Sequence, residues 1–96
     1  MGKGLIHSKD DDVCVVVADV KQGEEVVCSS IEDPRYTVVI KAINDIPLGH
    51  KIALRKIGEG NDVKKYGRSI GVATKEISLG EHVHVHNIKS KRWGKR

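Results

Sequence analysis

Histidine is the chemistry-bearing residue to follow first in this chain. The segment Glu81-His82-Val83-His84-Val85-His86-Asn87 sets three imidazoles at alternate positions, and alternate positions on a strand share one face. Imidazole ligates metal as a neutral base and moves protons near neutral pH, and a row of imidazolium cations is costly. A strand rise of about 3.3 Å per residue separates His82 and His86 by about 13 Å at the backbone. All three therefore strain a single metal site, whereas His84 and His86 converge easily and form the expected metal pair. A third ligand then has to come from elsewhere. His50 and His7 are the outside imidazoles. His50 follows a turn glycine and precedes Lys51, which puts an imidazole and an ammonium at a loop–strand junction. Asp10, Asp11 and Asp12 carry oxygen donors, but a run of aspartates reads more simply as a solvated turn. The plain alternative for the histidine strand is an exposed face that meets metal only by accident.

Other chemistries find little support. No nucleophile elbow, phosphate loop or Cys–His spacing occurs, and Ser8, Ser29, Ser30, Ser69 and Ser78 have no supporting motif. Cys14 and Cys28 lie in Val-rich stretches, as buried, reduced thiols of a cytoplasmic protein do. The opening MGKGLIHSKDDD has no apolar run for a signal peptide or membrane span, and Ile6 breaks the myristoylation pattern. The formal charge of +4 is also misleading as a nucleic-acid signal. Lys89, Lys91, Arg92, Lys95 and Arg96 supply five positive charges in the last eight residues, and the remainder is close to neutral. With aromatic content at 3%, there is no stacking platform to accompany that tail. The tail reads as a solvated terminus or as a docking segment anchored by Trp93 and Arg92.

Residues that do chemistry need a frame, and here the frame is aliphatic. Without Phe, the core must come from Val, Ile, Leu and Ala, and the branched members favour strands. One pattern recurs: aliphatic, two residues, Gly, two residues, aliphatic. It appears as Val20-Gly23-Val26, Ile46-Gly49-Ile52, Ile57-Gly60-Val63 and Ile77-Gly80-Val83. Each copy predicts a tight turn entering a short strand, with both aliphatics in the core, and Pro47 is expected at the position of the second turn that wants its fixed φ. The spacings are irregular, which excludes a solenoid. Strands are expected over Val13–Val17, Glu25–Cys28, Tyr36–Ile43, Lys51–Leu54, Arg68–Thr74 and His82–Ile88, with one helical turn over Ala53–Ile57. In the last strand Val83, Val85 and Asn87 are expected on the face opposite the histidines. The sum is an all-β domain over residues 1–88 with a basic tail over 89–96, and its exposed edges favour self-association.

Ile46-Pro47-Leu48-Gly49-His50-Lys51-Ile52-Ala53-Leu54, then Lys65-Tyr66-Gly67 with Ile70-Gly71 and Ala73-Thr74, then Gly80 to Asn87, together resemble the N-terminal SAF domain of altronate and galactarate dehydratases. The resemblance extends to Leu5-Ile6-His7-Ser8-Lys9-Asp10. It departs from the family at Ser8, where proline is usual, and in an acidic stretch one residue longer. The resemblance implies a β-clip fold and, for a chain of this length, the small subunit of a lyase similar to sulfolactate sulfo-lyase, with a separate large catalytic partner. It further implies β-elimination from a hydroxy acid with a divalent metal: iron(II), manganese or magnesium. Elimination needs a base for the α-proton, an acid or metal for the leaving group and a cation for the carboxylate. On that basis His50, Lys51 and His84 are candidate catalytic residues, His82 and Asn87 candidate substrate contacts, and His84 and His86 the candidate metal ligands. The alternatives are a sugar-acid or carbohydrate-binding module without catalysis, and a free-standing metal-binding protein.

Overall fold

A computed structural model describes residues 1–89 of the chain. The aliphatic segments form nine short strands: β1 Gly2–Ile6, β2 Val13–Val16, β3 Glu25–Ser30, β4 Thr37–Lys41, β5 Lys51–Ala53, β6 Asp62–Lys65, β7 Arg68–Ala73, β8 His82–Val83 and β9 Ile88–Lys89. They build a six-stranded sheet in the order β4-β3-β1-β2-β5-β8 and a three-stranded sheet in the order β6-β7-β9. The fold is all-β, as expected, and the described residues contain no helix.

Strand alternation sorts the side chains into two cores. Ile6, Cys14, Val16, Val20, Val26, Cys28, Ile46 and Ile52 fill the first, and Val13, Ala53, Ile57, Val63, Ala73, Ile77 and Val83 the second. Strands β2 and β5 serve both, because Cys14 and Ile52 point one way while Val13 and Ala53 point the other. Every aliphatic of the recurring pattern is buried. Its four copies form two couples, with Val20 bridged to Ile46 and Ile57 to Ile77. In each copy a backbone turn closes across the glycine, as in Glu24 N to Lys21 O and Glu81 N to Ser78 O, both 3.0 Å. The third position of each turn has φ between 83° and 89°, the left-handed value a type II turn requires there. Pro47 begins its turn, accepting from His50 N, and so sits one position earlier than expected.

Several expectations are corrected. β1 was not foreseen, because glycines at 2 and 4 read as punctuation; in the sheet they allow close approach, since a side chain at Gly4 would run into Cys14 Sγ. β6 was missed because Val63 is its single buried aliphatic in a polar segment. The helical turn over Ala53–Ile57 does not form: Ala53 ends β5 and Ile57 is spent on its bridge to Ile77. Asp11 and Asp12 are buried rather than solvated. Asp11 accepts from Ser8 N at 3.1 Å and Gly67 N at 3.0 Å, and Asp12 from Lys64 N at 2.9 Å, with Arg55 Nε at 3.2 Å. These carboxylates fasten the first loop to the β6–β7 hairpin. Cys14 and Cys28 are free thiols in the first core. Arg92 and Trp93 lie outside the described residues.

Candidate imidazole site and the seam beside it

The expected strand His82–Ile88 is broken after Val83, and the break makes the site. β8 pairs only Ile52 with His82 and Lys51 with Val83. The chain then turns, leaving Val85 79% exposed, and Ile88 joins the other sheet opposite Ala73. Asn87 holds the turn. Its Oδ1 accepts from His84 N at 3.0 Å, and its Nδ2 donates to His82 O at 2.8 Å and Glu81 Oε2 at 3.3 Å. Fully buried and engaged on both sides of its amide, Asn87 holds the loop that carries His84. Alternation alone cannot foresee this, because a buried asparagine reads like any other inward position until its partners are known.

The turn brings His84 back over His50. Both His50 and β8 follow copies of the same glycine turn, Pro47–His50 and Ser78–Glu81. His50 N donates to Pro47 O at 2.9 Å, and His82 N to Asn44 Oδ1 at 2.9 Å. Across β5 and β8, His50 Nδ1 lies 2.9 Å from His82 Nε2. The His50 and His84 rings stack with centroids 4.0 Å apart. One ligating nitrogen from each of His50, His82 and His84 falls within 4.8 Å of the others. His86 stands outside this triad, its ring 5.0 Å from that of His82. The structure thus groups His84 with His50 and His82, whereas the sequence pattern paired it with His86. A signal for this was present: His50 and His82 follow equivalent glycines, one and two residues on.

The surroundings of His82 and His84 favour their neutral forms. Burial pushes the His82 imidazole below its ordinary value, and the rings of His86, His50 and His84 add to this, with Glu81 opposing. His84 is lowered by partial desolvation, then by His50, Lys51 and His86. Neutral imidazoles carry the lone pairs that a metal needs. Lys51 is half-buried, and its ammonium is lowered by desolvation and by the charge of Lys65.

His7 packs against the turn between β6 and β7. Its ring lies 3.7 Å from the ring of Tyr66, which itself sits 4.8 Å from Lys65 Nζ. Tyr66 and Gly67 form the two-residue turn between β6 and β7, with φ of 60° and 71°. Two successive positive φ values mark a type I′ turn, where Asn-Gly is the easy sequence and a tyrosine is strained. Neither Lys65 nor Tyr66 was singled out as a site candidate from the sequence.

The described residues thus form a small all-β domain with clustered imidazoles on its surface. The family follows from comparison with known proteins. Residues 3–91 match the model of the altronate/galactarate dehydratase SAF domain, and the chain belongs to that family, with its β-clip fold. It is 39% identical over 89 residues to the (2R)-sulfolactate sulfo-lyase subunit alpha of Chromohalobacter salexigens, covering 93% of this chain and 95% of that one. The corresponding subunit of Paracoccus pantotrophus is 46% identical over 68 residues, 71% of this chain and 96% of its own. The altronate dehydratase of Bacillus subtilis is 44% identical over 85 residues, which are 88% of this chain but 16% of that enzyme. The domain therefore occurs both as a subunit and as a small part of a longer enzyme. No helix among the described residues is long and apolar enough to cross a membrane.

Proposed function

We propose that this chain is the small accessory subunit of a hydroxy-acid lyase, acting in β-elimination with a separate large catalytic subunit. The observation that carries the reading is the His50–His82–His84 cluster, whose ligating atoms lie within 4.8 Å of one another. The near full-length likeness to two sulfo-lyase alpha subunits supports the two-chain arrangement. Three clustered imidazoles fit a divalent metal. They suit iron(II) better than manganese or magnesium, which prefer oxygen donors. When bound, such a cation supplies Lewis acidity toward an oxygen of the acid. The chain's own residues then do the rest of its share. His50, His82 and His84 hold the cation, Asn87 fixes the loop that carries His84, and Lys51 offers its ammonium to the carboxylate of the acid. The remaining acid–base groups come from the large subunit, since elimination also needs a shielded base for the α-proton.

The test is capture of the chain with its partner from its host, followed by assays for sulfite release from sulfolactate and for dehydration of hexonates. A stoichiometric large subunit with lyase activity is expected, and His84→Ala should lower turnover and metal content together. Unchanged turnover in His50→Ala and His84→Ala assemblies would remove the site assignment. A chain captured without a partner would redirect the reading to a sugar-acid-binding module.

A further inference from the structure

The β6–β7 hairpin breaks three local rules close together. Tyr66, at its tip, holds φ of 60°, a conformation that costs a bulky residue and that asparagine or glycine would adopt freely. Beside it Lys65 stands in register with Arg68, and like charges directly opposite each other weaken a strand pair. The register also slips between Val63 and Lys64, an irregularity of the kind that twists a strand and re-aims the side chains beyond it. A neighbouring carboxylate would relieve the charge, yet among the described residues the ion pairs include none of Lys64, Lys65 and Arg68. Local rules broken together, with no gain inside the domain, mark a place kept for something outside it.

The domain nevertheless fastens this tip from below. The buried Asp11 accepts from Ser8 N at 3.1 Å with one carboxylate oxygen and from Gly67 N at 3.0 Å with the other. One carboxylate thus fixes the residue after His7 and the residue after Tyr66. Asp12 holds Lys64 twice: its carboxylate accepts from Lys64 N, and its own N–H donates to Lys64 O, each at 2.9 Å. The ring of His7 is set against that of Tyr66, with centroids 3.7 Å apart, and the Lys65 ammonium lies 4.8 Å from the same ring. Tyr66 is still 58% exposed, and Lys64, Gly67 and Arg68 are exposed around it. Small-molecule sites are concave, whereas this is a projecting aromatic tip among cations. A tyrosine already held in place anchors a protein interface well, since little freedom is lost when it docks.

We propose that this hairpin tip is the docking knob for the large catalytic subunit, with Tyr66 entering a pocket of that subunit and Lys65 and Arg68 meeting carboxylates at its rim. The occupant rests on the two-subunit reading above. Charge complementarity sets its chemistry, because cations left without a partner in the domain are matched by an acidic surface. Nucleic acid is a poor fit for the same cations, since one tyrosine gives no row of stacking partners.

The test takes the large subunit captured with the native full-length chain, separates the two, and measures rebinding of the native chain and its variants by surface plasmon resonance. Tyr66→Asn suits the turn and should melt higher than the native chain, yet dock about thirtyfold more weakly. A purely structural role would move stability and affinity in the same direction. Lys65→Glu and Arg68→Glu should each slow association about tenfold at low salt, with the difference fading at high salt. Lys21→Glu makes the same change of charge on the turn before β3 and should associate at the native rate. Native affinity in Tyr66→Asn, or native association in either hairpin charge variant, overturns the proposal and leaves the two-subunit reading standing. An equal loss in Lys21→Glu overturns it too, because net charge and not the tip would then govern docking. A native chain that captures no large subunit removes the lyase reading and this docking with it. A dimer of the chain that is lost in the same variants would reassign the tip to a second copy and overturn the assignment to the large subunit.

Discussion

Replacing Gly80 and Gly23 separately by alanine divides a conformational cost from a packing cost. Both glycines occupy the same position of the same turn, with φ of 85° and 89°. A left-handed backbone costs an alanine about 1–2 kcal/mol at either place. Around Gly23 a new Cβ meets nothing within 4 Å, so Gly23→Ala should lose only that amount. At Gly80 the Cβ would run into the carbonyl oxygen of Lys41, a backbone atom that cannot swing aside. Relief requires the turn and the end of β4 to separate, which breaks Ile43 N to Gly80 O at 3.0 Å and Gly80 N to Ala53 O at 2.9 Å. At about 1 kcal/mol for each hydrogen bond, Gly80→Ala should lose roughly 3–4 kcal/mol in all. The difference of about 2 kcal/mol corresponds to roughly 8–16 °C in Tm for a domain of this size. Urea unfolding followed by circular dichroism measures both variants. Equal losses would refute the reasoning, because they would mean that the Lys41 carbonyl yields at no cost. The displaced turn also carries His82, so metal affinity should fall in Gly80→Ala and hold in Gly23→Ala.

Tyr66→Asn should raise stability by about 1 kcal/mol, since asparagine accepts the left-handed turn; thermal melts read the effect, and a loss of stability would remove the strain from the account. Asp11→Ala should cost about 2–4 kcal/mol by leaving the Ser8 and Gly67 amides without their acceptor, against a change within about 0.5 kcal/mol for the exposed Asp10→Ala. The thiol of Cys14 is held far above its ordinary range by its hydrogen bond to Cys28 and by burial, and Cys28 is itself fully buried, so neither cysteine should react with Ellman's reagent until the chain unfolds. Rapid labelling of the native protein would show that the first core opens.

The fold was legible wherever periodicity and turn chemistry agreed. The recurring glycine pattern located four turns and eight buried aliphatics, and Val13, Lys51 and Arg68 each begin strands where expected. It failed where one residue's partner lay far away in sequence. Asp11 looks solvated until its acceptor role toward Gly67, 56 residues on, is known. Asn87 looks like one more inward strand position until its amide is found bending the chain. The histidines were legible as a candidate site by type but not by grouping. Alternation joined His84 to His86, whereas the broken strand stacks it on His50, a ring that local pattern could place only at a loop–strand junction.

The distances along the chain that separate the paired groups have a consequence for how the domain comes into being. His50 meets a ring 32 residues later, and Asp12 reaches a backbone amide 52 residues on. Closing such loops costs chain entropy before any contact rewards it, and folds dominated by distant pairings form slowly. In a zinc finger, ligands close in sequence let the ion itself draw the chain together. Here the imidazole nitrogens meet only after β5 and β8 have paired, so a cation held as proposed above would arrive at a finished domain, and chelation should empty it without unfolding it. Synthesis must likewise reach Val83 before β5 gains its outer neighbour. Until then Lys51 and Ile52 form an open sheet edge, which β8 seals as it brings in His82, and the turn after it adds His84.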